Sequence, residues 1–219
     1  MSEKIKGILF DLDGTLLDTA KDLTYALNLS LTDHGFAQVS ESQVKQTISR
    51  GSLVICQDAI PNQTLDVQRE VQQAMLSHYQ RVNGEKTDTF DGIIELLKKL
   101  DLHGYTYGIV TNKAAKFARP LVKQCQSLSN VKTLVSGDST IHSKPNPQPM
   151  LLAAQQLSLP ANEIIYVGDS QTDISAAHNA GMKSAIAAWG YLHSDDCLEN
   201  WNADRTLNDP NELLQLFNL

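Results

Sequence analysis

The pattern of apolar and polar residues divides the chain into short strand-like runs and longer helix-like segments. Compact apolar runs predict buried strands at residues 5–10, 105–110, 132–135, 164–167 and 184–188. Apolar residues at helical spacing predict helices at residues 90–100, 113–126, 147–157 and 210–216. Strands that alternate with helices indicate parallel β/α units. The predicted fold class is therefore α/β, a doubly wound parallel sheet with a Rossmann-like core and helices on both faces.

The segment after the first strand lacks this alternation. Residues 18–35 and 65–81 carry apolar side chains at helical spacing, and Ser40 with Gln43 can form a capping box. No comparable strand signal appears before residue 105. We therefore predict an inserted, all-helical cap domain and a catalytic α/β core, at residues 17–85 and at residues 1–16 with 86–219 respectively.

Two carboxylates follow the first predicted strand. Asp11 and Asp13 project to one side because side chains alternate along extended backbone, while Leu12 points the other way. Gly14 allows the chain to turn with positive φ and offers an unshielded N–H. An Asp-Gly hairpin turn needs a second strand, but a helical pattern follows instead. We interpret the pair as a chemical site at the end of a strand.

Further polar residues stand at the ends of later strands. Thr111 and Asn112 end the strand at 105–110, and both can donate hydrogen bonds. Lys144 lies in a proline-rich loop, Asp169 follows the strand at 164–167, and Asp173 falls in the first turn of the next helix. Because parallel strands gather their carboxyl ends at one edge, we expect these side chains to meet there.

In this order, the four segments resemble the motifs of the haloacid dehalogenase superfamily of phosphohydrolases. Over nearly the whole chain the resemblance is to the phosphoglycolate phosphatase-like branch. It implies that Asp11 is a nucleophile that becomes phosphorylated, and that Thr111 binds the phosphoryl group. We expect Asp13 to act as general acid and base, and Lys144 to pair with Asp11 and the phosphate. The implied reaction is hydrolysis of a small phosphomonoester, such as phosphoglycolate, through an aspartyl-phosphate.

Several acids around a phosphate dianion require a cation, and Mg²⁺ is the natural candidate because it prefers oxygen ligands. The predicted ligands are Asp11, the backbone carbonyl of Asp13, Asp169, and Asp173 directly or through water. The Gly14 N–H and Asn112 are predicted to position the phosphoryl oxygens.

The cap resembles the family's mobile cap, which selects the leaving group. Within it, Arg50 is our candidate for binding the non-reacting end of the substrate, because a guanidinium forms bidentate hydrogen bonds with carboxylate or phosphate. Asp13 disfavours a dehalogenase. A phosphomutase is an alternative function, although residues 49–52 match the corresponding mutase segment poorly. A pyrophosphatase or nucleotidase on the same core also stays open, and a non-catalytic binding domain is disfavoured by the intact acids.

Composition limits the partners. Lys and Arg number 18 against 25 Asp and Glu, for a net charge of −7, which disfavours nucleic acid and anionic membranes. No apolar segment reaches the length of a membrane span. The three cysteines show no Cys-x-x-Cys spacing, which favours a reducing compartment. We expect a cytoplasmic protein whose partner is a small phosphorylated metabolite, with the oligomeric state left open.

Overall fold

A six-stranded parallel sheet forms the centre of the structure, a computed structural model that describes residues 5–217. Residues 1–4 and 218–219 of the predicted core lie outside this range. The strands are β1 (Gly7–Phe10), β2 (Leu17–Asp18), β3 (Asp88–Thr89), β4 (Thr106–Val110), β5 (Leu134–Val135), β6 (Ile164–Gly168), β7 (Lys183–Ala187) and β8 (Arg205–Leu207). Their order across the sheet is β5-β4-β1-β6-β7-β8, and β2 pairs only with β3. The predicted parallel α/β sheet is confirmed.

Helices cover both faces of this sheet. The α-helices are α1 (Ala20–Asp33), α2 (Glu41–Lys45), α3 (Ser52–Ala59), α4 (Leu65–Val82), α5 (Ile93–Leu102), α6 (Ala115–Gln124), α7 (Gln148–Leu157) and α8 (Gln171–Asn179). Shorter 3-10 helices lie at Ile48–Arg50, Gln126–Leu128, Ala161–Glu163, Leu198–Trp201 and Pro210–Phe217. The predicted helix at 210–216 therefore forms as a 3-10 helix.

Alternation along β1 explains how the sheet is buried on both sides. Ile8 and Phe10 face one hydrophobic cluster, which includes residues of α5, α6 and the C-terminal 3-10 helix. Leu9 faces the opposite cluster, with residues of α7 and α8. A strand buried on both faces must be apolar at every position, and β1 is fully buried from end to end. Packing from both sides holds the carboxyl end of β1 in place.

Four helices, α1 to α4, pack against one another beside the sheet. Their shared core includes Leu27 on α1, Cys56 on α3, and Met75 and Tyr79 on α4, all of which are buried. Ser40 caps α2 by accepting from the backbone N–H of Gln43 at 3.3 Å. This helical bundle corresponds to the predicted cap, and the exact domain limits stay a prediction.

The bundle is connected to the sheet through β2 and β3. Leu17 pairs with Thr89 and Asp18 with Asp88 in antiparallel register. The prediction that this segment is all-helical is wrong at Leu17–Asp18. A strand of two residues is too short to show an alternating pattern in the sequence. The sequence also missed β8, a three-residue edge strand in which only Leu207 is buried. Among residues 5–217, no helix combines the length and the apolar character that crossing a membrane requires.

Candidate active site

Three acids meet at the carboxyl edge of the sheet. Asp11 follows β1, Asp169 follows β6, and Asp173 lies in the first turn of α8. Each offers a carboxylate oxygen, and these oxygens lie within 4.8 Å of one another. The structure therefore brings together acids that are far apart in the sequence, as the strand-end positions predicted.

A buried lysine joins two of these acids. The Nζ of Lys144 lies 3.0 Å from Oδ1 of Asp11 and 2.7 Å from Oδ1 of Asp173. It also donates to the Val110 carbonyl at 2.9 Å and to the Tyr166 hydroxyl at 2.7 Å. Burial works to lower the pKa of Lys144, but the charges of Asp11 and Asp173 outweigh it and raise that pKa above its usual value. Lys144 thus stays cationic beside the predicted nucleophile.

Asp173 has a structural task at this site. Its Oδ1 accepts from Lys144, and its Oδ2 accepts from the backbone N–H of Ser170 at 3.1 Å and from the Ser170 hydroxyl at 2.7 Å. The Ser170 hydroxyl accepts in return from the Asp173 N–H, which completes a capping box at the start of α8. Both carboxylate oxygens are therefore engaged, an arrangement that favours contact with a metal through water over direct ligation.

Asp169 is held from both the core and the cap. Its Oδ2 accepts from the backbone N–H of Tyr191 and from the hydroxyl of Ser49, each at 2.9 Å. The hydroxyl of Thr15 reaches its Oδ1 at 3.4 Å. Ser49 belongs to the 3-10 helix of the cap, so the cap touches the acid cluster directly. Nothing in the sequence indicated that Ser49 or Tyr191 contacts Asp169, because these contacts join residues 120 and 22 positions apart.

The acid cluster carries more negative charge than Lys144 can balance. Burial, reinforced by Asp173 and Asp13 and opposed by Lys144, raises the pKa of Asp11 to about 7. Burial and then the charges of Asp11 and Asp173 raise the pKa of Asp169 well above its usual range. Such shifts mark carboxylates whose burial and acidic neighbours outweigh the positive charge beside them. A divalent cation would supply that charge, and carboxylate oxygens are the donors that Mg²⁺ prefers.

Glycines leave room for this cluster. A Cβ on Gly14, which has φ of +81°, would lie 2.0 Å from Oδ2 of Asp169. A Cβ on Gly168 would lie 2.5 Å from Cγ of Asp173, and one on Gly190 would lie 2.4 Å from Cβ of Asp169. The donor set and the space kept around it together fit an Mg²⁺ ion held by Asp11 and Asp169.

The carboxylate of Asp13 has hydrogen-bonding partners of its own. Its Oδ1 accepts from the hydroxyl of Thr19 at 2.6 Å and from Nζ of Lys113 at 2.7 Å. Burial works to lower the pKa of Lys113, but Asp13 and Tyr79 outweigh it and raise that pKa. Sequence analysis missed Lys113, although it directly follows Thr111 and Asn112. A lone lysine after a strand is usually solvated, and nothing nearby in the sequence indicates its partner.

Two predicted substrate donors have other partners in the structure. The N–H of Gly14 donates to the Leu17 carbonyl at 3.0 Å, so it is not free to bind a phosphoryl oxygen. The Asn112 side chain donates to the Lys144 carbonyl at 3.1 Å and accepts from the Lys144 N–H at 3.0 Å. Gly14 thus makes space and the Asn112 amide positions the loop that carries Lys144, while a contact of the Asn112 backbone with a phosphoryl oxygen stays a prediction.

A cavity of about 510 Å³ opens between the acids and the cap. Asp11, Asp13, Thr111 and Lys144 line its core side. The cap side mixes apolar and polar residues and is lined by Leu23, Ile48, Ser49, Arg50, Gly51, Ser52, Ile55, Leu76 and Tyr79. A larger cavity of about 700 Å³ lies beside β2 and β3, but none of the predicted catalytic residues lines it.

Arg50 lies at this cavity, on the exposed side of the cap. Its guanidinium Nη2 is 3.9 Å from Oδ1 of Asp196, which belongs to the core. The structure thus places Arg50 where a substrate could reach it, while its nearest carboxylate is supplied by the protein. Its role in substrate binding stays a prediction.

Comparison with known proteins agrees with this geometry. The family model of haloacid dehalogenase-like hydrolases matches residues 8–187. An N-acetylmuramic acid 6-phosphate phosphatase of Pseudomonas aeruginosa is 34% identical over 98% of this chain and 95% of its own. A phosphoglycolate phosphatase of Xanthomonas campestris pv. campestris (strain 8004) is also 34% identical, over 95% of this chain and 94% of its own.

A solved structure shares the fold over nearly its full length. It is the crystal structure of a predicted phosphoglycolate phosphatase from Haemophilus somnus 129pt, with 28% identity, a TM-score of 0.86, and coverage of 97% of this chain and 98% of that one. The predicted family and the predicted class of enzyme are confirmed. The chain belongs to the haloacid dehalogenase-like hydrolases and is a phosphatase of that family.

Proposed function

We propose that this phosphatase hydrolyses a small phosphomonoester through an aspartyl-phosphate on Asp11. The observation that carries the proposal is the position of Asp11 at the base of the cavity, 3.0 Å from the Lys144 ammonium and within the acid cluster. A binding module has no need of a nucleophile held beside a buried cation. The arrangement is that of covalent catalysis, which divides one difficult displacement into two easier ones.

In the first step, a carboxylate oxygen of Asp11 attacks phosphorus and the bond to the ester oxygen breaks. Asp13 gives its proton to that oxygen, so the leaving group departs as an alcohol. In the second step, Asp13 takes a proton from water, which attacks phosphorus and releases inorganic phosphate from Asp11. Lys144 holds Asp11 oriented, and the Thr111 hydroxyl lies at the same cavity to contact the phosphoryl oxygens.

The residues that would hold Mg²⁺ are Asp11 and Asp169, with the Asp13 carbonyl and a water-mediated contact to Asp173. A bound Mg²⁺ would offset the negative charge shared by the acids and the phosphoryl oxygens. The raised pKa values of Asp11 and Asp169 support this assignment, because both acids are short of positive charge.

Two substrates follow from the relatives. Phosphoglycolate is the first, and N-acetylmuramic acid 6-phosphate is the second. The size of the cavity favours the larger one, because about 510 Å³ falls within the roughly 300–1,000 Å³ of pockets that bury drug-sized ligands. A two-carbon acid would fill only a small part of this space.

The proposal is tested by phosphate release from a panel of these two compounds, sugar phosphates, nucleotides and pyrophosphate. We expect Mg²⁺-dependent release from at least one monoester, abolished by EDTA. Asp11→Asn should lower kcat at least about a thousandfold, because the covalent route is closed. The exposed Asp91→Asn is the matched control and should keep full activity. Full activity of Asp11→Asn would refute the proposal, and conversion of a sugar phosphate to its isomer without phosphate release would favour the phosphomutase.

A further inference from the structure

Two buried side chains that the proposed steps do not use meet inside the cavity. Lys113 comes from the core, directly after Thr111 and Asn112, and Tyr79 comes from α4 of the cap. The Nζ of Lys113 lies 4.7 Å from the centre of the Tyr79 ring, and both residues line the cavity. The Lys113 side chain is 9% exposed and Tyr79 is 1% exposed. A cation and a phenol are therefore buried together beside the place of the leaving group.

The Tyr79 hydroxyl has unused hydrogen-bonding capacity. The Lys113 ammonium lies beside it as a donor, and no residue between 5 and 217 accepts its O–H, although the hydroxyl is fully buried. Buried polar groups are nearly always satisfied, so an unsatisfied one that lines a ligand cavity points to a ligand. Burial raises the pKa of Tyr79 to about 12, which keeps the hydroxyl a donor at neutral pH. The missing partner is therefore an acceptor.

Lys113 indicates the charge of that acceptor. Its ammonium has three N–H groups, of which one points to Asp13 at 2.7 Å. Apart from Asp11 and Asp13, the residues that line the cavity include no carboxylate, whereas Arg50, Lys113 and Lys116 are all cationic. The part of the cavity that receives the leaving group is thus positively charged. A neutral leaving group would not use this charge.

The position of Lys113 limits where the anionic group can be. Asp13 is the proposed donor to the ester oxygen, and Lys113 touches Asp13 directly. An oxygen that contacts both Lys113 and Tyr79 therefore belongs to the leaving group. We propose that Lys113 and Tyr79 together bind a carboxylate of the leaving group, and that the enzyme selects phosphate esters of hydroxy acids. The inference rests on the proposed function and names its substrate class.

The two candidate substrates agree with this class, since glycolate and muramic acid both carry a carboxylate. Lys113 supplies the charge and Tyr79 donates to one carboxylate oxygen, in a charge-assisted pair of contacts. Because one residue belongs to the core and the other to the cap, a bound carboxylate also joins the two parts across the cavity.

The test compares esters that differ only in the carboxylate. One pair is 2-phosphoglycolate with 2-hydroxyethyl phosphate, and the other is N-acetylmuramic acid 6-phosphate with N-acetylglucosamine 6-phosphate. For the wild type, we expect kcat/KM to favour the acid by at least about tenfold in one pair. Lys113→Met should bring that ratio close to one, and Tyr79→Phe should lower it several-fold, mainly through KM. Lys113→Arg keeps the charge and should retain most of the preference.

Two results separate this role from an effect on Asp13 alone. If Lys113 only positioned Asp13, Lys113→Met would slow both members of a pair equally and leave the ratio unchanged, which would overturn the inference. Lys123→Met, which removes an exposed cation on α6 outside the cavity, should keep the ratio, and a loss of preference there instead would also overturn it. Should Lys113→Met fail to fold, Tyr79→Phe removes a single oxygen atom and decides the question by itself.

Failure of the proposed function would look different. In that case the wild type would release no phosphate from any ester, p-nitrophenyl phosphate included. Failure of the carboxylate inference alone would leave Mg²⁺-dependent release intact, with equal kcat/KM for the acid and the neutral ester in both pairs.

Discussion

Gly14 shows how one residue without a side chain can determine the geometry of the acid cluster. It adopts φ of +81°, a conformation that residues with a Cβ rarely take. Its backbone also approaches Oδ2 of Asp169 so closely that a Cβ would lie 2.0 Å away. Any larger residue would have to displace Asp169, which is one of the acids expected to hold the metal.

Gly14→Ala should therefore weaken metal binding as well as lower stability. We expect at least about a tenfold loss of Mn²⁺ or Mg²⁺ affinity, measured by electron paramagnetic resonance or calorimetry, because Asp169 has to move. Gly35→Ala is the matched control, since Gly35 has φ of +74° with nothing within 4 Å of its Cβ position. The control should cost about 1–2 kcal/mol of stability from backbone strain and leave the affinity unchanged. Equal affinities in the two variants would contradict this account.

For single residues, the sequence predicted where the acids of the site lie, but it did not predict which side chains surround them. Asp11 and Asp169 could be found because a strand end fixes the direction of the next side chains. Lys113 and Tyr79 could not, because their contact joins the loop after β4 to a helix of the cap. The hydrogen bond from the Gly14 N–H to the Leu17 carbonyl was not predicted either, since a turn's hydrogen bonds depend on where the chain goes next.

At the scale of elements, the attachment of the cap depends on one buried acid. Asp22, on α1, accepts from the backbone N–H groups of Gly84 and Lys86 at 3.1 and 3.0 Å and from the Thr87 hydroxyl at 2.8 Å. These contacts fasten the first cap helix to the segment that returns to the core. Nothing in the local sequence predicts these contacts, because acidic residues such as Asp22 are common in the first turn of a helix.

Asp22→Ala should loosen this attachment, because three donors lose a charged acceptor. Each hydrogen bond to a charged group contributes about 1.5–3 kcal/mol, so we expect hydrogen exchange at Gly84 and Lys86 to accelerate at least about tenfold. Peptide-resolved exchange measured by mass spectrometry checks this. Asp33→Ala, at the other end of α1 where Asp33 contacts His78, should leave exchange at residues 84–87 unchanged. Unaltered exchange in Asp22→Ala would show that other contacts hold the cap.

At the scale of the whole molecule, folding brings like charges together at one edge of the sheet. The pattern of alternating strands and helices predicted that edge, because parallel strands place their carboxyl ends side by side. It did not predict β8 or the pairing of β2 with β3, whose strands are two or three residues long. Burial, reinforced by the negative charges of the neighbouring acids, raises the pKa values of Asp11 and Asp169.

These shifts predict how the stability of the metal-free protein depends on pH. The pKa of Asp11 rises from 3.8 to about 7 on folding, so the folded state binds this proton more tightly than the unfolded chain does. The proton on Asp11 makes its full contribution to the free energy of unfolding below about pH 4, and this contribution is lost as the pH rises to about 7. Asp169 acts in the same direction.

In EDTA, Asp11→Asn should therefore gain stability relative to the wild type as the pH increases, because asparagine carries no charge to bury. Denaturant unfolding at several pH values between 4 and 8 measures the difference in the free energy of unfolding between the two proteins. Adding Mg²⁺ at the upper end should reverse the order, since the ion stabilises the folded wild type in proportion to its occupancy. If the difference in the free energy of unfolding between Asp11→Asn and the wild type did not change with pH, Asp11 would not be short of positive charge.

If Asp11 carries the phosphoryl group during turnover, the phosphorylated enzyme can be trapped directly. The wild-type enzyme would be mixed with Mg²⁺ and its best ester, quenched in acid within one turnover, digested and analysed by mass spectrometry. We predict one added phosphoryl group on the peptide that contains Asp11, lost on treatment with hydroxylamine and missing from Asp11→Asn. Rapid turnover with no phosphorylated peptide, or a phosphoryl group on another residue, would contradict the mechanism.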